Sequence, residues 1–239
     1  QEQCKAVMAA AKKHGVVVIP EIDMPGHSAA FERAMGFNMQ SNEGKAVLKK
    51  VIDEVVEVFA DAPYIHIGGD EVSTTAAYLN EMIAYVESKG KKAGIWNRIN
   101  GINQADLNAS ITQMWATSGT LAPGKPNIDC RYNYTNHFDV FADLVGIYKS
   151  NIYYRQQGDP EVAGTLSCAW NDRKTPTQED IIIQNNVYAN TLASGERAWI
   201  GGGEQYIEKG GTTLPNSGKE YEEWKMERAG KLIDKTERV

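Results

Sequence analysis

Apolar and polar positions follow two different periods near the start of the chain. Residues 2–14 repeat their apolar side chains with helical spacing, and Gly15 comes where that spacing ends. Residues 16–19, Val-Val-Val-Ile, are apolar throughout. A glycine is a common helix stop, and a short apolar run is typical of a strand covered on both faces. We therefore predict a helix that is followed by a buried strand.

The alternation of strand and helix continues along the chain. Further helices are predicted at 45–59, 74–90 and about 177–194, and further strands at 64–68, 92–97, 109–117, 127–134 and 162–170. Parallel strands need crossover connections, so this rhythm predicts an α/β fold with a parallel sheet, either doubly wound or closed as a barrel.

Polar and aromatic residues recur at the ends of several of these strands, which favours a (β/α)8 barrel of the TIM type. A doubly wound sheet concentrates its site at one switch point and usually carries a glycine-rich phosphate turn, and neither GxGxxG nor GxxxxGK[ST] occurs here. Only six strands are predicted, so we expect about two strand-helix units to be missing before Gln1. Residues 1–200 would form the partial catalytic barrel, and 201–239 would extend the same domain.

Composition narrows the class of partner. The 239 residues are 42% hydrophobic and 23% charged, with a formal net charge of -6, which is ordinary for a globular domain. This acidic balance argues against nucleic acid or an anionic membrane as partner. No apolar run approaches the roughly 18 residues of a membrane span, and no targeting segment is recognisable. Three widely spaced cysteines indicate buried free thiols rather than disulfides or a metal site: Cys4, Cys130 and Cys168.

The stretch YIHIGGDEV places two adjacent carboxylates, Asp70 and Glu71, at the end of an apolar strand. Side chains alternate along a strand, but Gly68 and Gly69 allow a distortion that would aim both acids into one site. Neighbouring carboxylates push their pKa values apart, which leaves one as a general acid and one ionised, as a hydrolase needs. The alternative is a solvated helix N-terminus capped by Ser73.

A second polar group lies in the stretch PEIDMPGH, where a tight loop carries Asp23 and His27 together. His66 lies within a strand and is predicted to be buried, with its ring hydrogen-bonded to the backbone. No HExxH-type spacing places two ligands on one element, so no metal or other cofactor is expected.

Three tryptophans are predicted to lie at strand ends: Trp96, Trp115 and Trp170. Core packing explains a tryptophan at an open rim poorly, whereas aromatic faces stack on the apolar faces of sugar rings. Together with the paired carboxylates, the three tryptophans predict a carbohydrate pocket. Trp199 and Trp224 are interpreted as packing residues.

The stretches VVVIPEIDMPGHS and YIHIGGDEV resemble the two best marked motifs of the family 20 glycoside hydrolases, the β-N-acetylhexosaminidases. GIWN, TQMWA, CRYNYTN and CAWND follow in the order of that family's fifth to eighth barrel strands, so the resemblance covers about residues 1–200. It implies a retaining exo-hydrolase that releases terminal β-linked N-acetylhexosamine, GlcNAc or GalNAc, from a glycan. The substrate's own 2-acetamido oxygen would attack the anomeric carbon and form an oxazolinium ion.

The resemblance also implies roles for individual residues. Glu71 would be the acid and base, and Asp70 would hold the acetamido N–H. His27 would belong to a hydrogen-bond relay that tunes Glu71, and Asp23 would help to hold that loop. Tyr134 would donate to the acetamido oxygen, although Tyr132 competes for that assignment. The remaining residues would bind the sugar: Trp96, Trp115, Asn136, Trp170 and Asp172.

Departures from the family pattern leave the sugar preference open. The family's first strand supplies an arginine and its second an aspartate partner for the histidine, and this chain contains neither strand. Asn136 stands where many members have aspartate, and Asp172 where they usually have glutamate. A non-catalytic carbohydrate-binding remnant of the same fold is the alternative function. The resemblance further implies a secreted, periplasmic or lysosome-like compartment, and the oligomeric state is not predicted.

Overall fold

A computed structural model describes residues 1–116, 119–131, 133–134, 147–148, 151–153, 155, 158–170, 177–179 and 187–201. The chain packs as two units. The first unit comprises residues 1–114 and 122–126, and the second contains the described residues of 115–121 and 127–201.

The first unit combines helices with three parallel strands. Its α-helices are α1 (Glu2–Lys13), α2 (Ala29–Met35), α3 (Asn42–Val58) and α4 (Ala76–Ser88), with a 3-10 turn at Gln104–Asp106. Its strands are β1 (Tyr64–His66), β2 (Lys92–Asn97) and β3 (Ile111–Met114). β2 lies between β1 and β3 and pairs with both in parallel.

Local sequence explains where the two longest helices of this unit begin. The Ser41 hydroxyl accepts the Gly44 N–H before α3, and the Thr75 hydroxyl accepts the Tyr78 N–H before α4. Apolar residues at helical spacing then bury one face of each helix in a shared core with the strands. Its fully enclosed members include Leu48, Ile52, Leu79, Met82, Ile83, Ile65 and Ile95. Each such side chain stabilises the fold by about 1.5–3 kcal/mol.

The prediction of a buried strand at residues 16–19 is wrong. The structure assigns no strand there, and Val16 and Val17 are 58% and 62% exposed. Strand-like pairing with β1 begins further along instead. The His66 N–H donates to Pro20 O, and the Ile22 N–H donates to His66 O. Met24 N–H donates to Ile67 O at 3.0 Å. This pairing carries the segment from Glu21 to Met24 alongside β1.

The second unit contains two described strands and one described long helix. β4 (Asn127–Asp129) pairs in parallel with β5 (Val162–Thr165), and an isolated parallel bridge joins Tyr134 to Cys168. The long helix is α5 (Val187–Ile200). Asp129 connects two segments of this unit. Its carboxylate accepts hydrogen bonds from the Arg131 guanidinium and from the Tyr153 N–H. A buried carboxylate with this many donors is satisfied, so it serves the fold.

The predicted α/β class with parallel strands is confirmed, while closure into an eight-stranded barrel stays a prediction. Two strands were predicted too long, since β4 ends at Asp129 and β5 ends at Thr165. Trp199 is 87% exposed, so its interpretation as a packing residue is wrong. Trp224 lies outside the described residues. Among the helices that the structure describes, none is both long enough and apolar enough to cross a membrane.

Candidate active site

Glu21 connects side chains from two neighbouring strands. Its Oε1 accepts the Trp96 indole N–H at 2.8 Å and lies 3.1 Å from His66 Nδ1. The Gly68 N–H points to the same ring nitrogen at 3.1 Å. Burial raises the pKa of Glu21, but the contacts with His66 and Trp96 outweigh it and hold the pKa below its usual range. Glu21 therefore stays ionised and fixes the indole and the imidazole.

His66 is buried, as predicted, and its ring packs against Gly94 of the neighbouring strand. Its register partner on β2 is Gly94, and a Cβ built at position 94 would lie 2.9 Å from His66 Cδ2. The His66 and Trp96 rings meet edge to face with centroids 5.1 Å apart. The absence of a side chain at Gly94 is what leaves room for the imidazole.

Three carboxylates surround the imidazole of His27, and we call this group the carboxylate cluster. His27 Nε2 lies 3.9 Å from Asp23 Oδ2, 3.8 Å from Asp70 Oδ2 and 3.6 Å from Glu71 Oε2. These distances are long for hydrogen bonds but short enough for strong electrostatic coupling. The cluster therefore places three acidic side chains around one imidazole.

The backbone after β1 explains how two consecutive acids reach one imidazole. Gly68 and Gly69 have φ angles of 71° and 102°, and Glu71 itself has a φ of 50°. This left-handed turn breaks the alternation of a pleated strand. The alternative of a capped helix N-terminus at Ser73 is wrong, because α4 begins only at Ala76 and is capped by Thr75.

The pKa values of two acids of the cluster are raised above their usual range. Burial and the nearby Asp70 raise the pKa of Asp23 to about 6, although the Gly69 N–H bonded to Asp23 Oδ1 works against the shift. Burial also raises the pKa of Asp70. Within the described residues, Asp70 Oδ1 is buried without a hydrogen-bond partner. Such an atom is suited to receive a donor from a bound molecule.

Gly68 is required by the carboxylate cluster as well as by the turn. A Cβ at position 68 would overlap the Asp23 carboxylate and come within 2.7 Å of its Cα. We predict that Gly68→Ala destabilises the protein by about 3 kcal/mol or more, measured by urea unfolding. Gly90→Ala is the matched control, because Gly90 has a similar φ of 76° and no neighbour within 4 Å of a Cβ. It should cost only about 1 kcal/mol, and equal losses would contradict the predicted overlap.

The raised pKa of Asp23 predicts a pH-dependent effect of Asp23→Asn. Between pH 4 and about 6 the native carboxyl keeps a proton that the unfolded chain has lost, so native stability falls as pH rises through that window. The amide removes this loss while keeping an oxygen for the Gly69 N–H. We expect Asp23→Asn to raise stability by about 1–2 kcal/mol at pH 7.5 and to change little at pH 4. Parallel urea titrations at both pH values test this, and equal shifts would contradict it.

The same cluster has donor spacing that a cation could use. Ligand atoms of Asp23, His27 and Asp70 all lie within 4.8 Å of one another. The expectation of no metal stays a prediction.

The remaining predicted site residues divide between the units. Trp96 is buried in the first unit, whereas Trp115 and Tyr134 are half-buried in the second, where Trp170 is 41% exposed. Their convergence on one concavity therefore stays a prediction. Asn136, Asp172 and Tyr132 lie outside the described residues. The sequence interpretation gave Glu21 no role, although Glu21 and Asp23 are two apart, the spacing of side chains on one face of an extended segment.

Comparisons with known proteins agree on one family. The sequence profile described as Glycosyl hydrolase family 20, catalytic domain, matches residues 1–42 and 32–77. Beta-hexosaminidase A of Caenorhabditis elegans is 32% identical over 91 residues, covering 30% of this chain and 16% of that protein. Beta-N-acetylhexosaminidase of Cellulomonas fimi is 28% identical over 146 residues, covering 51% of this chain and 29% of that protein. The chain thus spans less than a third of these curated relatives.

A solved structure supports the fold over nearly the whole chain. The crystal structure of beta-N-acetylhexosaminidase from Bacteroides fragilis NCTC 9343 matches with a TM-score of 0.66 at 21% identity. The match covers 98% of this chain and 55% of that one. At this identity the likeness concerns the fold.

Proposed function

Because the chain belongs to glycosyl hydrolase family 20, we propose that it forms part of a retaining exo-glycosidase that releases terminal β-linked N-acetylhexosamine. The observation that carries the proposal is the position of Asp70 and Glu71, both turned towards His27 at the end of β1. A fold needs no such arrangement of crowded carboxylates, whereas acid-base chemistry does.

In the proposed first step the nucleophile belongs to the substrate. The carbonyl oxygen of the 2-acetamido group forms a bond to the anomeric carbon while the glycosidic bond breaks, and the result is an oxazolinium ion. The electron pair of the broken bond goes to the leaving oxygen, which takes a proton from Glu71. In the second step water attacks the anomeric carbon and gives a proton to Glu71. The bond between the anomeric carbon and the acetamido oxygen breaks, its electron pair returns to that oxygen, and the oxazolinium ring opens.

Exposure is consistent with the two roles. The Glu71 side chain is 56% exposed, as a proton donor that must meet an incoming leaving group requires, while that of Asp70 is 18% exposed. The buried Asp70 Oδ1 would accept a hydrogen bond from the acetamido N–H and would so gain the donor that it lacks among the described residues. As positive charge develops on the oxazolinium ion, the ionised form of Asp70 is favoured despite its raised pKa.

The other residues would complete the sugar site. His27 and Asp23 would relay charge to Glu71 across the distances given above. We propose that Trp96, held by Glu21, walls the acetamido pocket together with Trp115 and Trp170, and that Tyr134 donates to the acetamido oxygen. Asn136 and Asp172 would contact sugar hydroxyls and influence the preference between GlcNAc and GalNAc.

An aryl glycoside assay separates this function from the non-catalytic alternative. The full-length protein should release nitrophenol from nitrophenyl N-acetyl-β-glucosaminide, and the double variant Asp70→Asn, Glu71→Gln should not. Binding of N-acetylglucosamine without release by the unmodified protein would favour the carbohydrate-binding remnant. The proposal needs no cofactor or nucleic acid and places the protein in a secreted, periplasmic or lysosome-like compartment.

A further inference from the structure

A cleft opens beside Glu71 in the first unit, away from the residues proposed to hold the acetamido group. Its volume is about 290 Å³, near the lower end of ligand sites in proteins. Its walls come from residues 25–28, from Glu32 on α2, from residues 38–40 and from Glu71 and Val72. Asp70 and Trp96 are not among these lining residues.

Position decides which part of a substrate would enter this cleft. This argument rests on the proposed function, in which Glu71 gives its proton to the glycosidic oxygen. The sugar on the far side of that oxygen is one bond away from it, so it must lie against Glu71. A space of this size beside the Glu71 carboxylate suits one monosaccharide unit.

The lining determines what kind of sugar suits the cleft. Its lining is polar, and apart from the His27 imidazole none of the described lining residues carries an aromatic ring. Ser28 contributes a hydroxyl, and the side-chain amides of Asn38 and Gln40 are already held by hydrogen bonds within the chain. Hydrogen bonding rather than stacking would therefore recognise the leaving group. The cleft favours a hydroxyl-rich sugar over an aryl or alkyl group.

Charge adds a second selection. Apart from the proton donor Glu71, the acidic side chain among the described lining residues is Glu32, and His27 is the one basic side chain among them. A leaving group with its own carboxylate or sulfate would be repelled, whereas a neutral or amino sugar would not.

We propose that this cleft is the leaving-group subsite and that Glu32 makes it select neutral or cationic sugars against anionic ones. Glu32 is exposed on α2 and is not one of the residues of the carboxylate cluster. It is therefore a specificity residue that contacts the leaving sugar, and the chemical step does not depend on it.

The test compares two disaccharides that differ in one group. N-acetyl-β-glucosaminides of glucose and of glucuronic acid, with the same linkage, are hydrolysed by the full-length protein, and kcat/KM is measured for each. We expect the glucuronic acid compound to be cleaved at least about tenfold less efficiently. Glu32→Gln should narrow this ratio about fivefold, and 0.5 M NaCl should narrow it in the unmodified protein.

Glu57→Gln is the matched control, because Glu57 is exposed on α3 and does not line the cleft. It should leave the ratio unchanged. A ratio that neither Glu32→Gln nor salt alters would overturn the subsite. Nitrophenol release distinguishes the two proposals: activity on the aryl glycoside with an unaltered ratio refutes only the subsite, and no activity on any of the three substrates refutes the hydrolase.

Discussion

A glucoside that lacks the 2-acetamido group is expected to be turned over at least ~10³-fold more slowly than the matching N-acetylglucosaminide. The reason is that the proposed nucleophile is the acetamido oxygen, and its removal takes the attacking group away from the site. A loss of this size corresponds to about 4 kcal/mol in the barrier, which is consistent with losing a positioned nucleophile. Comparison of kcat/KM for the two nitrophenyl glycosides measures it.

The opposite result would assign the attack to the protein. If Asp70 were the nucleophile, as in ordinary retaining glycosidases, the plain glucoside would still be cleaved and a covalent glycosyl-enzyme would form. Asp70→Asn provides the second readout. It should weaken both steps in the substrate-assisted scheme without any covalent intermediate, because Asp70 then only holds the acetamido N–H.

Glu71→Gln is expected to reduce turnover in a way that depends on the leaving group. The variant lacks the proton donor, so a substrate with a poor leaving group should lose about 10³-fold or more in kcat/KM. A dinitrophenyl glycoside needs little protonation and should retain far more activity. A series of aryl glycosides with increasing leaving-group pKa measures this difference. The slope of log kcat/KM against leaving-group pKa should be steeper for the variant than for the unmodified protein.

Two controls make this slope decisive. Glu57→Gln introduces the same change of side chain on the exposed face of α3 and should reproduce the slope of the unmodified protein. Equal losses on good and poor leaving groups in Glu71→Gln would remove Glu71 from the acid role. The far-ultraviolet circular dichroism spectrum of the variant should match that of the unmodified protein, which separates loss of the proton donor from unfolding.

Features set by local sequence could be predicted well. The predicted helix at 74–90 corresponds to α4 (Ala76–Ser88). It could be predicted because both of its signals, the Thr75 cap and the apolar stripe, are formed by residues close together in the sequence. The run at 92–97 became β2 with both faces buried. The short α2 was missed, since seven residues after Pro25 and Gly26 give too little periodicity to outweigh those two turn residues.

Features that depend on pairing between distant segments could not be predicted from local patterns. The run at 16–19 has the composition of a buried strand, but the backbone pairs with β1 only from Pro20 onwards. The contact of Glu21 with Trp96 joins residues 75 positions apart, and only the register of the strands brings them together. Asp70 and Glu71 could be singled out from the sequence because two adjacent acids directly after an apolar strand are visible within a few residues.

The close approach of Gly94 to His66 makes the residue types allowed at these two positions depend on each other. Any side chain at position 94 would displace the imidazole, and with it the ring that Glu21 and Trp96 contact. A side chain at position 94 therefore requires His66 to move or to be replaced by a smaller residue. In a library that varies residue 94 alone, we expect few variants to keep the contact between His66 and Trp96, although residue 94 itself carries no functional group.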